Sequence, residues 1–449
     1  MGAQLVELYV DEVMIHSETR QYSDVCNPLA TFASLRNAGV LGDYSYFHLS
    51  PNQTEIGWAP VERLRLLAGE PCDDWRDKVV QFAQRAEQLG RKAFGYIGFD
   101  AVSRHAGALP DRSQSGRPLV EFIIPGETVT FTSLDVTHRG LGSVDLSRHL
   151  ASQLPPTPPS TAAVPLEPVD GTPEEAYLEA VRKGVAALSA GEAHKLVLSR
   201  YQAFDAEFDP VAVVAALQPP FVDIFLICFG DLVAVVSSPE LLISGTKGQI
   251  VSNPLAGTRV RGSTPEEDER LRTELLGNHK EIVEHVVSVQ TVLADLETVC
   301  LRDSLVVGRF MEVFQLPKVQ HLASIVRGTL DPQRHILEAL WALFPAVTVT
   351  GLPRSAAIEV VNRLEPNPRY MYGGVMGWVS GPGDCRFSLV LRGLLRCGGR
   401  SFLQAGAGIL AESVPEAELR ETSHKLSGMR EALAAAVRSG RPGPRAGRA

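Results

Sequence analysis

Apolar and polar positions alternate with two different periods along the second half of the chain. Apolar residues recur at the spacing of an amphipathic helix over residues 178–188. The preceding residues 172–175 (Thr-Pro-Glu-Glu) predict a capping box with proline at the first helical position, and Gly191 is expected to end the helix. Residues 195–199 then form an almost continuous apolar run, which predicts a strand.

The same patterns predict further elements on both sides of this region. Helical periodicity predicts helices over residues 75–89, 280–297 and 415–437. Short apolar runs bounded by turn residues predict strands over 93–99, 119–131, 223–228, 232–237, 375–380, 388–394 and 401–405. Strands cluster, and helices interrupt them without strict alternation. We therefore predict an α+β fold in which two β-sheets pack face to face with helices outside.

A proline-rich stretch divides the chain. Residues 155–171 contain closely spaced prolines and little periodicity, which indicates an extended connector. Residues 1–154 are expected to form the N-terminal part of the fold, and residues 172–437 its catalytic region. Residues 438–449 place arginines among glycine and proline, and we expect this tail to be disordered.

Composition and charge argue against several classes of protein. The chain has 449 residues, of which 45% are hydrophobic, and a formal net charge of −9. This mildly acidic balance disfavours nucleic-acid binding, which requires a basic surface. The first residues lack the regions of a signal peptide, and no apolar run reaches the roughly 18 residues that cross a bilayer. The six cysteines form no Cys-x-x-Cys motif, so we expect reduced thiols, no zinc site and a cytoplasmic protein that binds no membrane.

Two predicted helices each carry a pair of glutamates. Glu281 and Glu284 are three residues apart on one helix, and Glu418 and Glu421 have the same spacing on the C-terminal helix. Residues at positions i and i+3 project side by side, so the four carboxylates together could hold a hard cation such as Mg²⁺. Either pair alone is more typical of a solvated helix face.

Four other polar side chains occur beside apolar strands. Lys195 opens a strand, and a lysine drawn into a low-dielectric pocket can act as a base, although a strand-edge lysine that reaches water is the simpler interpretation. Glu240 follows a strand and could remain protonated as a general acid, or begin a helix. His321 could donate to a carboxylate, although a lone histidine is more often a satisfied core residue. Arg392 lies within an apolar strand, where a buried arginine requires an anionic partner.

Two segments are rich in small residues. The segment Pro-Leu-Ala-Gly-Thr-Arg places Thr258 beside Gly257 in a predicted loop, where the hydroxyl could orient a substrate. The segment Gln-Ala-Gly-Ala-Gly-Ile contains Gly406 and Gly408, and its backbone N–H groups could bind an anion. Taken alone, each segment is more simply interpreted as a tight turn.

Taken in order, these segments resemble the chorismate-utilising enzymes. That family includes anthranilate synthase large subunits, aminodeoxychorismate synthases, isochorismate synthases and salicylate synthases. The resemblance covers residues 172–437, with a weaker match in the N-terminal part. It rests on the motifs at 195–200 (KLVLSR), 238–242 (SPELL), 254–259 (PLAGTR), 280–285 (KEIVEH), 321–324 (HLAS), 343–346 (LFPA), 372–374 (YGG), 405–409 (AGAGI) and 415–422 (PEAELRET).

The resemblance implies a single large domain whose cleft binds chorismate through its two carboxylates. The four glutamates would hold Mg²⁺, directly or through water, and the ion would bind the ring carboxylate. Tyr372 and Arg392, with backbone groups near Gly406 and Gly408, would bind the enolpyruvyl carboxylate. This division agrees with the charges, because two carboxylates on a substrate require two compensating centres.

The resemblance also implies catalytic roles. His321 and Thr258 would contact the ring region, with Gly257 beside them. Glu240 would act as general acid on the departing 4-hydroxyl. Lys195 would be the general base that activates water to attack ring position 2.

Two positions are expected to select the nucleophile. Ammonia-using members commonly have glutamine where this chain has Lys195, and many aminodeoxychorismate synthases have lysine where it has Ala256. Both residues favour water, so the resemblance implies a salicylate synthase that forms isochorismate and then releases pyruvate. An isochorismate synthase without the lyase step and an ammonia-using synthase remain the alternatives. We expect a monomer without a glutaminase partner.

Overall fold

The computed structural model describes residues 4–10, 13–22, 26–67, 74–103, 118–140, 144–151, 166–217, 223–315 and 319–437. Its helices are α1 Pro28–Asn37, α2 Trp75–Gln88, α3 Asp100–Ser103, α4 Glu174–Ser189, α5 Pro210–Ala216, α6 Pro265–Gly277, α7 His279–Glu297, α8 Ile336–Leu343, α9 Arg354–Leu364 and α10 Pro415–Ala436. No helix in these ranges is long and apolar enough to cross a membrane.

The strands fall in both halves of the chain. In the N-terminal part they are β1 Gln4–Val10, β2 Val13–Tyr22, β3 Tyr44–Leu49, β4 Thr54–Leu67, β5 Ala93–Ile97, β6 Pro118–Phe131 and β7 Val136–Gly140. They continue as β8 Asp170–Gly171, β9 Lys195–Phe204, β10 Asp223–Phe229, β11 Leu232–Ser238, β12 Leu241–Thr246, β13 Gln249–Ser252, β14 Leu255–Val260, β15 Val306–Val307 and β16 Glu312–Gln315. The last are β17 Val319–Ala323, β18 Val326–Thr329, β19 Gly351–Leu352, β20 Val375–Ser380, β21 Asp384–Leu389, β22 Gly393–Cys397 and β23 Arg400–Ile409.

One antiparallel hydrogen-bonded network joins most of these strands. β5 from the N-terminal part pairs with β20, with Phe94 opposite Trp378, and β3 pairs with β10. The two parts of the chain therefore build one network rather than two separate sheets. A second sheet of three strands, in the order β14, β17, β16, lies apart from it.

The large network folds back so that two of its faces pack together. Tyr46 of β3 stacks on Phe94 of β5 with ring centroids 3.7 Å apart, although β4 and β6 separate these strands within the network. Phe225 of β10 and Met376 of β20 belong to the same buried apolar cluster. The predicted α+β fold, with sheets packed face to face, is confirmed.

Helices cover the outer faces of this sandwich. Val289 and Leu296 of α7 share a buried cluster with Ile243 of β12. On the other side, Leu426 and Leu433 of α10 pack in a second cluster that includes strand residues. The apolar stripes of α7 and α10 thus fix how these two helices sit on the sheets, and their polar faces point away from these clusters.

Helix α4 begins differently from the prediction. It starts at Glu174 with Pro173 as the cap, and no side chain caps it. The hydroxyl of Thr172 instead lies 3.4 Å from the backbone nitrogen of Tyr201 and accepts from it. The predicted capping box is therefore wrong, because the Thr172 side chain is used to attach the preceding segment to β9. The end was predicted correctly, since Gly191 follows the helix with a φ of +78°.

Three segments were assigned to the wrong local structure. Residues 254–259 and 404–409, predicted as loops, lie in or beside the paired strands β14 and β23. The strand predicted over 388–394 is broken, because β21 ends at Leu389 and Arg392 has a φ of +46°. Most of the predicted connector and all of the predicted basic tail lie outside the described residues.

Candidate active site

A cleft lies between the start of β9, the strands β14 and β23, and the helices α7 and α10. Its empty space, including the open mouth, is about 1020 Å³. The predicted site residues that line it are Glu240, Gly257, Thr258, Glu281, Glu284, His321, Tyr372, Arg392, Gly406, Gly408 and Glu421. Lys195 and Glu418 are not among the lining residues, but each forms an ion pair with one of them. The fold thus brings together side chains from distant parts of the sequence.

The residues that begin α7 and α10 determine where the glutamates lie along each helix. The side chain of Asn278 caps α7 by accepting the backbone N–H of Glu281, at 3.1 Å, so this glutamate lies in the first turn. Pro415 occupies the first turn of α10, where its missing N–H costs nothing. Glu281 and Glu418 therefore lie in the first turns of their helices, where the helix dipole favours negative charge, and Glu284 and Glu421 follow one turn later.

Each of the four glutamates forms an ion pair with a basic side chain. The nitrogen–oxygen distances are 2.9 Å for Arg259–Glu281, 2.7 Å for Lys195–Glu284, 3.3 Å for Lys280–Glu418 and 2.7 Å for Lys425–Glu421. Within the described ranges, no group of three or more His, Cys, Asp or Glu side chains is arranged to hold a metal ion. The carboxylates thus face basic partners rather than converging on one point.

The ion pairs have different effects on the carboxylates. Burial raises the pKa of Glu284, but the charge and hydrogen bond of Lys195, together with the charges of Lys280 and Lys425, outweigh it, so the pKa lies below its usual value. Burial also raises the pKa of Glu281 and of Glu418, and there the basic partners only partly offset it. Burial without full compensation favours binding of additional positive charge at these two carboxylates.

The donor chemistry of the cleft fits a hard divalent cation. Carboxylate oxygens are the ligands that Mg²⁺ takes in proteins, usually together with substrate oxygens and water. Glu281, Glu284 and Glu421 line one cleft, and Glu418 lies beside it. The residues present could therefore hold such an ion after their basic partners shift.

At three positions in the cleft, the absence of a side chain on glycine lets a neighbouring side chain approach the backbone closely. A Cβ atom on Gly408 would lie 3.0 Å from Oε1 of Glu284, and one on Gly406 would lie 2.6 Å from the hydroxyl of Tyr372. A Cβ atom on Gly257 would lie 3.0 Å from Oε2 of Glu281. Gly406 and Gly408 pair with β9 within the sheet, so these glycines are explained by close side-chain approach, and not by a turn.

Glu240 is a buried carboxyl at the end of the cleft. It lies between β11 and β12, and Thr348 donates a hydrogen bond of 2.8 Å to its Oε1. Burial raises the pKa of Glu240 to about 7, although Thr348 and nearby lysines oppose this effect. A substantial fraction of Glu240 is therefore protonated at neutral pH and able to donate a proton.

His321 lies on β17 opposite Thr258 of β14. Its Nδ1 lies 3.0 Å from the Thr258 hydroxyl and 3.3 Å from the carbonyl oxygen of Gly257, and its Nε2 lies 3.5 Å from Arg392. Burial and the charge of Arg392 lower the pKa of His321 to about 3. The ring is therefore neutral, and the carbonyl at Nδ1 assigns the proton to that nitrogen.

Arg392 faces the cleft with its guanidinium largely buried. Burial lowers the pKa of Arg392, and among the described residues no carboxylate pairs with it. Its positive φ of +46° turns the backbone out of the strand between β21 and β22. A buried guanidinium without a carboxylate partner is suited to bind an anionic ligand.

Sequence reasoning missed several polar residues of the cleft. Lys425 donates a 2.9 Å hydrogen bond to the carbonyl oxygen of Gly406, and Lys280, Arg259 and Thr348 also line the cleft. Lys425 follows Glu421 by four residues, a spacing that is common on exposed helices and therefore carried no specific signal. Lys280 and Arg259 lie within the motifs at 280–285 and 254–259, but only the fold shows which way they point.

The fold and the cleft define a class of protein. The family model for chorismate binding enzymes matches residues 43–431. The chain therefore belongs to the chorismate binding enzymes, as the sequence motifs predicted.

The relatives of this chain are named for different activities. The salicylate synthase of Mycolicibacterium paratuberculosis is 39% identical over 254 residues, which are 56% of this chain and 56% of that protein. An anthranilate synthase component 1 of Halobacterium salinarum is 35% identical over 283 residues, or 62% of this chain and 54% of that protein. The match thus spans little more than half the length of either relative.

A solved structure agrees over most of the fold. The structure named for a 2,3-dihydroxybenzoate-specific isochorismate synthase from Bacillus anthracis superposes with a TM-score of 0.71 and 27% identity. It covers 90% of this chain and 100% of that chain. The likeness therefore includes the N-terminal strands as well as the cleft.

Proposed function

We propose that this protein is a salicylate synthase that converts chorismate to isochorismate by Mg²⁺-dependent water addition, and isochorismate to salicylate and pyruvate. The observation that carries the proposal is the position of Lys195, buried beside the cleft at 2.7 Å from Glu284. Family members that use ammonia commonly have glutamine there. The 39% identity to a salicylate synthase supports the same choice.

Two centres of positive charge would bind the two carboxylates of chorismate. Glu281, Glu284, Glu418 and Glu421 would hold Mg²⁺, which supplies charge stabilisation to the ring carboxylate. Arg392 would bind the enolpyruvyl carboxylate. The support for this assignment is that Arg392 lines the same cleft as the glutamates and lacks a carboxylate partner among the described residues.

The first reaction exchanges the ring hydroxyl. Lys195 would take a proton from water as the water oxygen bonds to ring carbon 2, and the ring double bonds shift. Glu240 would give its proton to the hydroxyl on carbon 4, which leaves as water. The raised pKa of Glu240, about 7, is consistent with a general acid at neutral pH. The product, isochorismate, has the same atoms as chorismate.

The second reaction needs no new acid or base. The hydrogen on ring carbon 2 would pass to the methylene carbon of the enolpyruvyl group as the ring carbon–oxygen bond breaks. Pyruvate leaves, and the ring becomes salicylate. The contribution of the protein would be to hold the side chain over the ring, with Tyr372 and Arg392 at its carboxylate and His321 and Thr258 beside the ring.

An isochorismate synthase is the second candidate. It is favoured by the likeness to the isochorismate synthase structure, at 27% identity over 90% of this chain. Water addition would be unchanged, and only the release of pyruvate would be absent.

Incubation of the purified protein with chorismate and Mg²⁺, with and without ammonium, tests the proposal by mass-resolved product analysis. Salicylate and pyruvate formed without ammonium would support it. Isochorismate alone would select the second candidate. An aminated product that requires ammonium would overturn both and would mean that Lys195 does not select water.

Removal of divalent cations tests the metal assignment separately. EDTA is expected to abolish turnover, and added Mg²⁺ is expected to restore it. The variants Glu281→Gln and Glu421→Gln should require a higher Mg²⁺ concentration for half-maximal activity. Turnover that is indifferent to EDTA would contradict the four-glutamate site.

A further inference from the structure

Lys280 connects the two helices that carry the glutamate pairs. It lies on α7, and its Nζ reaches across to Oε1 of Glu418 on α10 at 3.3 Å. Glu418 is only 3% exposed, whereas the Lys280 side chain retains 30% exposure. The ammonium therefore neutralises a buried carboxylate while keeping access to water.

The ammonium of Lys280 lies near glutamates of both helices and contacts Glu418 directly. Burial alone would lower the pKa of Lys280, but the charges of Glu418, Glu284 and Glu281 outweigh burial and raise it. Three carboxylates from two helices therefore act on this one positive charge. A position that stabilises an ammonium in this way also stabilises another cation, because the attraction depends on charge and distance.

Lys280 has fewer contacts to lose than Arg259 or Lys425, and its side chain is more exposed, at 30%, than that of Lys195, at 5%. Arg259 is fixed by Glu274 and by its neighbour's carbonyl oxygen as well as by Glu281. Lys425 donates to the carbonyl oxygen of Gly406 in addition to its glutamate. Among the described residues, Lys280 has Glu418 as its single hydrogen-bond acceptor. A lysine has a flexible four-carbon stem that lets its ammonium move to water.

We propose that Lys280 is an internal cation that competes with the divalent metal ion for Glu418 and thereby weakens cation binding to the free protein. The inference rests on the proposed metal site. Because the four glutamates already have four basic partners, a divalent ion adds two uncompensated positive charges. Movement of Lys280 to water offsets one of these charges, and a dianionic substrate offsets both. Lys280 thus makes cation binding depend on the dianionic substrate.

Calorimetric titration of the substrate-free protein with Mg²⁺ tests this inference without any activity measurement. The Lys280→Met variant is expected to bind the ion about tenfold more tightly than the parent protein, which is the effect of removing a unit charge a few ångströms from a divalent ion in a largely aqueous site. Lys280→Arg keeps the charge and should bind the ion about as weakly as the parent protein does.

A matched control comes from another helix. Lys183 on α4 pairs with Glu179 at 3.6 Å, and its side chain is 62% exposed. Lys183→Met removes the same charge from an exposed ion pair that includes none of the four glutamates, and it should leave Mg²⁺ affinity unchanged. Lys280→Gln provides a second neutral variant, should the methionine variant fail to fold by circular dichroism.

Each outcome has one meaning for the inference. Tighter binding by the neutral variants, but not by Lys280→Arg, supports it. Unchanged or weaker binding by the neutral variants overturns it, as does the absence of cation binding in every variant. If the product assay yields no salicylate while the neutral variants still bind Mg²⁺ more tightly, the proposed function fails and the competition stands.

Discussion

The ammonium of Lys195 lies 2.7 Å from the carboxylate of Glu284. The residue proposed as the base and a residue proposed as a metal ligand therefore form one ion pair, on β9 and α7. Lys195 is 4% exposed, so removal of either partner leaves a largely buried charge uncompensated. Water activation and cation binding are consequently coupled through a shared carboxylate, and a substitution at one residue affects both.

Lys195→Ala is expected to reduce turnover by about a hundredfold to ten-thousandfold, the usual contribution of a general base. Chorismate binding, measured by calorimetry, should remain, because Arg392 and the glutamates are intact. Full turnover in the variant would remove Lys195 from the mechanism.

The same variant should change cation binding in a specific direction. Without Lys195, the buried Glu284 lacks its counter-ion, and Mg²⁺ affinity in the absence of substrate should rise. Lys195→Arg, which retains the charge, serves as the control and should leave Mg²⁺ affinity near the parent value. Equal affinity in the alanine and arginine variants would contradict the coupling.

The raised pKa of Glu240 predicts how turnover depends on pH. Its pKa in the folded protein is about 7, raised by burial from 4.5. The protonated carboxyl that can donate is present below this value and is lost as the pH rises through it. Turnover should therefore fall above about pH 7 in a pH–rate profile, and Glu240→Gln should abolish it. A pH–rate profile that is flat from about pH 6 to about pH 9 would exclude Glu240 as the acid. This range extends from about one unit below the pKa to about two units above it.

The raised pKa of Glu240 also predicts how the stability of the protein depends on pH. The unfolded chain releases this proton near its usual pKa of 4.5, whereas the folded protein holds it until about 7. The contribution of Glu240 to stability is thus present at low pH and is lost as the pH rises through about 7. Glu240→Gln should stabilise the protein at pH 8 by about 3 kcal/mol relative to its effect at pH 4, as measured by denaturant unfolding.

Arg392→Met is expected to have opposite effects on binding and on stability. Loss of the guanidinium should raise the KM for chorismate by about a hundredfold, because a charged hydrogen-bond partner of the carboxylate is removed. The free protein should be no less stable, since a buried charge without a carboxylate partner among the described residues is removed. Thermal unfolding and steady-state kinetics test both parts, and a large loss of stability with unchanged KM would contradict the assignment.

Gly408→Ala tests the close approach of Glu284. The added Cβ atom would lie 3.0 Å from the carboxylate oxygen, so the glutamate must shift, and we expect turnover to fall at least tenfold at saturating Mg²⁺ with folding retained. A tenfold decrease in turnover corresponds to an increase of about 1.4 kcal/mol in the activation free energy.

The control for this substitution is Gly428→Ala in α10. A Cβ atom at Gly428 would have no neighbour within 4 Å. The variant should keep its turnover and gain up to about 1 kcal/mol of stability, because alanine favours the helix. Equal activity in both alanine variants would show that Glu284 accommodates the contact.

Much of the secondary structure followed from residue periodicity. The helix predicted over 280–297 is observed at His279–Glu297, and the one over 415–437 at Pro415–Ala436. Amphipathic spacing is a local property, and both helices bury the stripe that it defines. The glutamate pairs were visible for the same reason, because residues three apart on a helix share a face whatever the fold around them.

Local reasoning failed where distant segments determine the backbone. The glycines of β23 have the composition of a turn, yet they lie in a strand because Gly406 and Gly408 pair with Ser199 and Val197 of β9. Arg392 has a strand-like neighbourhood, yet it leaves the sheet with a positive φ. The pairing of β23 joins segments that are far apart in sequence, and local composition does not show it.

The sequence by itself determined the family, the α+β class and the residue types available for acid, base and cation chemistry. These follow from motif order and from periodicity, which are properties of neighbouring residues. Only the tertiary structure decided that Lys195 faces Glu284, that Lys280 bridges two helices to Glu418, and that Arg392 faces the cleft without a carboxylate partner among the described residues. Charge pairing depends on distances of a few ångströms across the fold, and no local pattern specifies those distances.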